Sequence, residues 1–187
     1  MTRIAPLLER NDTYAATSTP TVLAPPALKT VIVSCLDHRL PPELVLGLEV
    51  GEAAVIRNAG GRVTPAVLED LAYLAFLSQE LFGDQLGPDG RLLFEVAVIH
   101  HRQCGTGFLA DREFRDRASR STGVPEDRLL TTLVDDPERT VRDDVARLLA
   151  SPLVPAGAPV SGHVFDVATG RLSTVCDLEG RSAHVSR

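Results

Sequence analysis

The segment KTVIVSCLDHR, residues 29–39, joins a strand pattern directly to a cluster of polar side chains. Residues 29–35 form a mostly apolar run of strand length that is rich in β-branched side chains. Such runs are typical of parallel strands covered on both faces. Asp37, His38 and Arg39 follow almost at once. Because ligands bind outside the carboxyl ends of strands in open parallel sheets, the segment predicts an α/β fold with a functional site at this edge.

Strand and helix patterns alternate along the rest of the chain. Further strands are predicted at 52–61, 91–101 and 128–136, and helices at 66–82, 108–121 and 138–150. Residues 160–175 (VSGHVFDVATGRLSTV) are predicted to form two strands joined by a turn at Ala168–Gly170. This order predicts an α/β domain with a mostly parallel central sheet flanked by helices, and a C-terminal antiparallel edge strand.

The first 28 residues differ from the rest because they lead into the proline-rich stretch TPTVLAPPALK. We expect residues 1–28 to be an arm or linker, with a short amphipathic helix around Ala5–Ala16 that could lie on another subunit. Residues 29–187 are expected to form a single α/β domain, because a segment of this length can bury one hydrophobic core.

The composition excludes several classes of partner. The formal net charge is −6, and acidic residues lie among the arginines of segment 112–120, so no basic surface for nucleic acid is predicted. No apolar run reaches the ~18 residues of a membrane span. The chain has only three cysteines, and a small odd number is a poor basis for a disulfide framework. We therefore expect a cytoplasmic protein with neither nucleic acid nor membrane among its partners.

Polar residues stand at the carboxyl ends of the first three predicted strands. They are Cys35, Asp37 and Arg39 after the first strand, Arg57–Gly61 after the second, and His100–Gly105 after the third. Two thiols and an imidazole suit Zn²⁺, which takes Cys and His ligands in tetrahedral geometry. His101 and Cys104 are three residues apart and can fold around one ion, with Cys35 supplied by the neighbouring strand.

Two questions about the ligand set stay open in the sequence. His100 competes with His101, but neighbouring strand residues point to opposite faces, so we expect only one of them to reach the metal. Asp37 is a candidate fourth ligand; alternatively, Arg39 pairs with it and leaves the fourth position to water or substrate. Taken singly, these side chains would suit a packed thiol or a structural ion pair. Their convergence on one sheet edge is what predicts a metal site.

The residues at this edge resemble the signatures of a known enzyme family. Cys-Leu-Asp-His-Arg at 35–39 and His-Arg-Gln-Cys-Gly at 101–105 resemble the paired C-x-D-x-R and H-x-x-C motifs of the β-class carbonic anhydrases, particularly the small bacterial members. The intervening VIRNAGGRVT (55–64) is similar to the RNAG segment of that family, and 162–175 is similar to its final edge strand. The resemblance covers roughly residues 28–175.

The resemblance implies a metal centre and a reaction. It implies one Zn²⁺ per chain bound by Cys35, His101 and Cys104, with Asp37 and Arg39 as a catalytic dyad beside it. In open-site members water takes the fourth position, whereas in closed-site members the aspartate ligates the zinc. The implied reaction is the reversible hydration of carbon dioxide to bicarbonate by a hydroxide held on the zinc.

Substrate contacts and assembly are also implied. Backbone N–H groups around Asn58, Ala59 and Gly60, or at Gly105, could bind and polarise the substrate. The family resemblance implies a homodimer or homotetramer, with the N-terminal arm lying across the partner subunit.

Two residues depart from the family pattern. His38 stands where a small residue is usual, and it could crowd the mouth of the site or act as a proton relay. Thr106 follows the Cys-Gly pair where a second small residue, often Gly, is usual. Neither change removes a metal ligand, but both bear on substrate access and rate.

Three other functions compete with carbon dioxide hydration. The same zinc site could hydrolyse carbon disulfide or carbonyl sulfide. The chain could instead be a non-catalytic, zinc-stabilised binding module, although such a module would need neither Asp37 nor Arg39. A thiol redox protein is the third alternative, but the chain lacks a C-x-x-C pair.

Overall fold

One five-stranded sheet organises the chain in the computed structural model, which describes residues 2–19, 22–83 and 94–180, the side chains of 178–180 excepted. The strands are β1 (Thr30–Cys35), β2 (Ala53–Asn58), β3 (Glu95–His101), β4 (Pro159–Asp166) and β5 (Arg171–Gly180). Their order is β2-β1-β3-β4-β5, with every neighbouring pair parallel except β4 and β5. The predicted mostly parallel sheet with a C-terminal antiparallel edge strand is therefore confirmed.

Six α-helices accompany the sheet in the described residues. They are α1 (Ala5–Thr17), α2 (Pro42–Val45), α3 (Pro65–Phe82), α4 (Arg112–Thr122), α5 (Glu126–Leu130) and α6 (Pro137–Ala150). Two short 3₁₀ segments, Ala59–Gly61 and Gly105–Ala110, follow β2 and precede α4. None of the helices in these ranges is long and apolar enough to cross a membrane.

The main core lies between one face of the sheet and the helices α3 and α6. Val31 and Val33 of β1 are fully buried there, beside side chains that include Val67 and Leu71 of α3 and Val141 of α6. The opposite face carries a smaller cluster built on Ile32, Leu40, Ile99 and Phe165. Both faces of β1 are thus covered, which is why its sequence is continuously apolar instead of alternating.

The helices that cover the main core begin at sequence signals. The side chain of Asp136 accepts a hydrogen bond from the backbone N–H of Arg139 (3.1 Å), and Pro137 takes the first helical position of α6. Thr64 and Pro65 stand at the same two positions of α3. Side-chain capping and an N1 proline both satisfy or remove orphan N–H groups, so these helix starts are locally encoded.

The predicted strand at 128–136 is wrong. Its first residues belong to the short helix α5, and turns follow. Glu126 and Asp127 occupy the first turn of that helix, where acidic side chains are stabilising. A short apolar run does not by itself distinguish a strand from a helix, and the fourth strand of the sheet is instead 159–166.

Other predicted elements differ at their ends. The second strand, predicted over 52–61, ends at Asn58, and Ala59–Gly61 form a 3₁₀ turn in which Gly60 has a positive φ. The third strand begins at Glu95, and residues 91–93 of the prediction lie outside the described residues. The predicted helix at 108–121 is divided into the 3₁₀ segment and α4, because the side chain of Asp111 caps α4 by accepting from the backbone N–H of Phe114 (2.7 Å).

Candidate metal centre

The carboxyl ends of β1 and β3 lie side by side and bring three side chains together. Cys35 is the last residue of β1, His101 is the last residue of β3, and Cys104 follows one turn later. Their sulfur and nitrogen ligand atoms all lie within 4.8 Å of one another. No other such group of His, Cys, Asp or Glu side chains occurs in the part of the chain that the structure describes.

All three side chains are buried, at 3% exposure for Cys35, 0% for His101 and 8% for Cys104. The two sulfur atoms are 3.9 Å apart, which is far beyond the S–S length of a disulfide. Two thiols and an imidazole that face one point away from bulk water form the donor set that Zn²⁺ prefers. The residues present therefore fit a zinc ion.

The hydrogen bonds of His101 prepare one ring nitrogen for a metal. Its Nδ1 lies 3.0 Å from the carbonyl oxygen of Arg102, which can only accept, so Nδ1 carries the proton of that bond. Its Nε2 is buried and has no hydrogen-bond partner. A buried nitrogen without a partner is costly, and a carbonyl on the far nitrogen is the usual arrangement for a metal-binding histidine.

His100 points to the opposite face of the sheet, away from the metal site. Its Nδ1 is 2.8 Å from Oγ1 of Thr140, and its Nε2 is 3.2 Å from Oδ2 of Asp144. Asp144 is fully buried and accepts hydrogen bonds from Arg62, at 2.6 and 3.1 Å, and from the backbone N–H of Val63 at 3.1 Å. His100, the first histidine of the doublet, thus belongs to a buried network behind the site, which no sequence motif indicated.

The two thiols influence each other's protonation. The hydrogen bond between them raises the pKa of Cys35, and the same bond lowers the pKa of Cys104 to about 4. Burial opposes the charged form of His101, yet the neighbouring Cys104 thiolate raises the pKa of that histidine. Because cysteine binds a metal as the thiolate, binding of a metal here would displace protons from the two thiols.

The carboxylate of Asp37 is held by Arg39. Its Oδ1 accepts from the backbone N–H and from Nε of Arg39 (2.9 and 3.0 Å), and its Oδ2 accepts from Nη2 (2.7 Å). The Arg39 guanidinium holds the pKa of Asp37 well below its usual range. Oδ2 also lies 3.9 Å from Nε2 of His101, so the carboxylate borders the ligand cluster while facing the guanidinium.

Two further contacts fix this pair. Nη2 of Arg39 donates to the carbonyl oxygen of Gln103 (2.9 Å), whose backbone adopts a positive φ of 57°. Arg57 donates to the carbonyl oxygens of Cys35 (3.0 Å) and Asp37 (2.7 Å). The segment 35–37 is thereby tied to the loop before Cys104 and to the end of β2.

The turn after β2 packs on the metal segment. The amide of Asn58 donates to the carbonyl of Arg62 (2.8 Å) and accepts from its backbone N–H (2.9 Å), so this side chain closes the turn. Gly60 and Gly61 are buried in it with positive φ values of 79° and 67°. A Cβ on Gly61 would lie 2.8 Å from the backbone nitrogen of Cys35, so only glycine permits this approach.

The other two predicted substrate-binding residues differ in exposure. Ala59 is half-buried in the turn, and Gly105 is exposed directly after Cys104. His38 is 94% exposed, with Nδ1 3.8 Å from Oδ1 of Asp37, so its side chain extends into solvent.

A cavity of about 410 Å³ opens beside the ligands. His101 and Cys104 form part of its wall, and Phe108, Val134 and Asp135 line it as well. Val134 also packs against both cysteines and is 3% exposed. Sequence reasoning missed this residue because segment 128–136 was interpreted as a strand.

Comparison with known proteins agrees with this geometry. The family model described as "Carbonic anhydrase" matches residues 30–172. β-Carbonic anhydrase 1 of Mycobacterium tuberculosis is 34% identical over 90% of this chain and 94% of its own length.

The chain is also similar to a solved carbonic anhydrase structure and, at lower identity, to a carbon disulfide hydrolase. The crystal structure of carbonic anhydrase from Streptococcus mutans is 34% identical, with a TM-score of 0.74 over 94% of this chain and 98% of its own. A carbon disulfide hydrolase of Acidithiobacillus thiooxidans is 28% identical over 75% of this chain and 74% of its own length. The chain thus belongs to the β class of the carbonic anhydrase family.

Proposed function

We propose that this protein is a zinc enzyme that catalyses the reversible hydration of carbon dioxide to bicarbonate at the Cys35, His101 and Cys104 cluster. One observation carries the proposal: the buried, unpartnered Nε2 of His101 and two thiols converge beside a carboxylate that a guanidinium holds. The membership of the chain in the β-carbonic anhydrase family supports the same reaction.

Cys35, His101 and Cys104 are the side chains that would hold the metal, as their mutual distances allow. Zinc, when bound, supplies Lewis acidity that lets a water at its open position ionise near neutral pH. Because Arg39 engages both oxygens of Asp37, we propose that this carboxylate is not a ligand and that the fourth position is open.

Asp37 is proposed to accept a hydrogen bond from the reacting water and so to orient it toward carbon dioxide. Its low pKa, caused by Arg39, keeps it an ionised acceptor throughout the neutral range. Arg39 acts on the reaction through Asp37, because its bidentate pairing fixes where the carboxylate points.

Carbon dioxide is proposed to sit against the backbone of residues 58–60 and Gly105. Asn58 pairs with Cys35 in the sheet, so the turn that follows it borders the ligands, and Gly105 is the residue after a ligand. Backbone N–H groups placed there would stabilise developing negative charge on a substrate oxygen.

We also propose that the chain forms an oligomer. Helix α1 buries none of its residues, and it exposes Leu7, Leu8 and Tyr14. Strand β2 lies at one edge of the sheet, and exposed strand edges favour pairing with another chain. We infer a homodimer or homotetramer in which the arm at 1–28 packs on a partner subunit. The sedimentation coefficient should fall when Leu7 and Leu8 are both changed to Glu. Leu153→Glu is the control: Leu153 is also exposed but lies outside the arm, so the sedimentation coefficient should not change.

The cytoplasm is the proposed location, because the two ligand thiols must stay reduced to bind a metal.

The experiment compares two substrates on one zinc-loaded preparation. Stopped-flow hydration of carbon dioxide between pH 7 and 9 should be much faster than buffer, and sulfide release from carbon disulfide should stay at background. The opposite result would assign the chain the hydrolase activity named for its 28% identical relative. Tight zinc binding without either activity would indicate a zinc-stabilised binding module.

A further inference from the structure

Thr106 contacts one of the two ligand sulfurs directly. Its Oγ1 lies 3.1 Å from Sγ of Cys104. A thiolate has no proton to give, so once Cys104 is ionised the hydroxyl must be the donor of this bond. The hydroxyl of Thr106 thus donates a hydrogen bond to a sulfur that is one of the three proposed metal ligands.

The local backbone explains why residue 106 reaches that sulfur. Cys104 stands immediately before the 3₁₀ segment Gly105–Ala110, and its carbonyl oxygen accepts from the backbone N–H of Gly107 (3.0 Å). This turn folds the chain back over the cysteine. Threonine also has few χ1 rotamers, so its hydroxyl keeps the direction that the turn gives it.

The two sulfurs differ in how they are supported. Among the hydrogen bonds of the described residues, the sulfur of Cys35 has one partner, Sγ of Cys104 at 3.9 Å. The sulfur of Cys104 has a second partner besides the sulfur of Cys35, the hydroxyl of Thr106. A residue without a hydroxyl at position 106 would leave Cys104 without that second bond.

We propose that Thr106 is a positioning residue that holds the Cys104 sulfur toward the metal and withdraws electron density from it. This inference rests on the proposed zinc site but not on the identity of the substrate. Groups that hydrogen-bond to metal ligands typically affect metal affinity by ~10–100-fold, so the effect of the hydroxyl should be measurable.

Two substitutions separate the hydroxyl from the shape of the side chain. Thr106→Val keeps the branched shape and removes the hydroxyl, whereas Thr106→Ser keeps the hydroxyl. Thr131→Val is the matched control, because the exposed Thr131 hydroxyl donates only to the backbone carbonyl of Arg128 (2.7 Å), according to the hydrogen bonds of the described residues.

Zinc affinity, measured by chelator competition on the full chain, should fall about tenfold in Thr106→Val. It should stay close to wild type in Thr106→Ser and Thr131→Val. In the Co²⁺-substituted protein, the thiolate-to-metal charge-transfer band of Thr106→Val should move to longer wavelength, because a thiolate without the hydrogen bond is a stronger electron donor. Thr106→Ser should leave the band in place.

The inference is overturned if Thr106→Val matches wild type in affinity and band position, or if Thr106→Ser loses as much affinity as Thr106→Val. Should Thr106→Val fail to fold, Thr106→Ala removes the same hydroxyl and is judged by the same two readouts. A wild-type chain that binds no zinc in this titration would overturn the metal centre itself. Wild-type binding with an unaffected valine variant would overturn the role of Thr106 alone.

Discussion

Arg39 engages both carboxylate oxygens of Asp37, through Nε at 3.0 Å to Oδ1 and through Nη2 at 2.7 Å to Oδ2. The same Nη2 donates to the carbonyl oxygen of Gln103, one residue before the ligand Cys104. The guanidinium therefore links the carboxylate of the site to the loop that carries a metal ligand. In this geometry Arg39 controls where the carboxylate points.

Removal of this guanidinium should stop catalysis without removing the metal. Arg39→Ala frees Asp37 to turn toward the open metal position, and we expect kcat/KM for carbon dioxide to fall by about 100-fold or more. Arg39→Lys should lower kcat/KM to a similar extent, because an ammonium group cannot replace the bidentate hydrogen bonds of a guanidinium. Stopped-flow rates and zinc content on the same samples provide the measurement.

Arg120→Ala is the control for this prediction, since Arg120 forms an exposed ion pair with Asp116 far from the ligands in sequence. It should keep wild-type activity. An Arg39→Ala enzyme within about threefold of wild type would show that Asp37 does not depend on its partner.

The cysteines should differ in their effect on metal content. Cys104→Ser replaces a buried thiolate ligand with a much weaker donor, so purified protein should contain far less than one zinc per chain. Cys176→Ser changes the half-buried cysteine of β5, outside the cluster, and should keep its zinc. Equal zinc content in the two variants, measured by atomic emission, would place the metal elsewhere.

The buried Asp144 should make the free energy of unfolding depend on pH in the acidic range. Burial opposes its charge, but the neighbouring His100 and the hydrogen bonds from Arg62 lower its pKa to about 2. A carboxylate whose pKa is lower in the folded chain stabilises it above the unfolded pKa, and this stability is lost as the pH falls toward the folded pKa. The drop from 3.8 to about 2 corresponds to a stabilisation on the order of 2–3 kcal/mol at neutral pH.

Asp144→Asn should therefore lower the free energy of unfolding by about 2–3 kcal/mol at pH 7, and its difference from wild type should shrink between pH 4 and pH 2. Urea unfolding at several pH values measures this difference. Asp143→Asn, at an exposed neighbouring ion pair with Arg139, should change stability by less than about 0.5 kcal/mol. A pH-independent deficit in Asp144→Asn would mean that its charge is not the stabilising feature.

Gly61 and Gly170 should respond differently to the same substitution. Both have positive φ values, 67° and 70°, so alanine is strained at either position by about 1 kcal/mol. A Cβ at Gly61 would also meet the backbone of Cys35 and Ser34 at 2.8 and 2.9 Å, whereas none of the described atoms lies within 4 Å of a Cβ at Gly170. Thermal unfolding should show Gly61→Ala to be the more destabilised, by about 2 kcal/mol beyond Gly170→Ala. Equal losses would mean that the turn can move away from β1.

The sequence predicted the strands that carry the ligands because their pattern is local. The run before Cys35 and the run before His101 are continuous and β-branched, and each stops at a polar residue. The parallel sheet then brings these ends together, so the cluster could be expected before any contact was known. The helix predicted at 138–150 is likewise present, because the residues that start it, Asp136 and Pro137, act locally.

Other features depend on tertiary contacts that no local pattern encodes. Segment 128–136 has apolar residues that suit a strand or a helix, and only its packing assigns Val134 to the wall of the cavity. The partner of His100 is Asp144, 44 positions along the chain, so the buried network has no motif. The contact of Thr106 with Cys104 depends on a turn whose shape the sequence does not specify.

The most direct test of the central claim is stopped-flow carbon dioxide hydration at pH 8 across samples loaded with increasing zinc. We predict a rate that rises in proportion to bound zinc, reaches its maximum at one zinc per chain, and falls by about 100-fold or more in zinc-loaded Asp37→Asn. A protein that binds one zinc at the cysteines and His101, yet hydrates carbon dioxide no faster than buffer, would contradict the account.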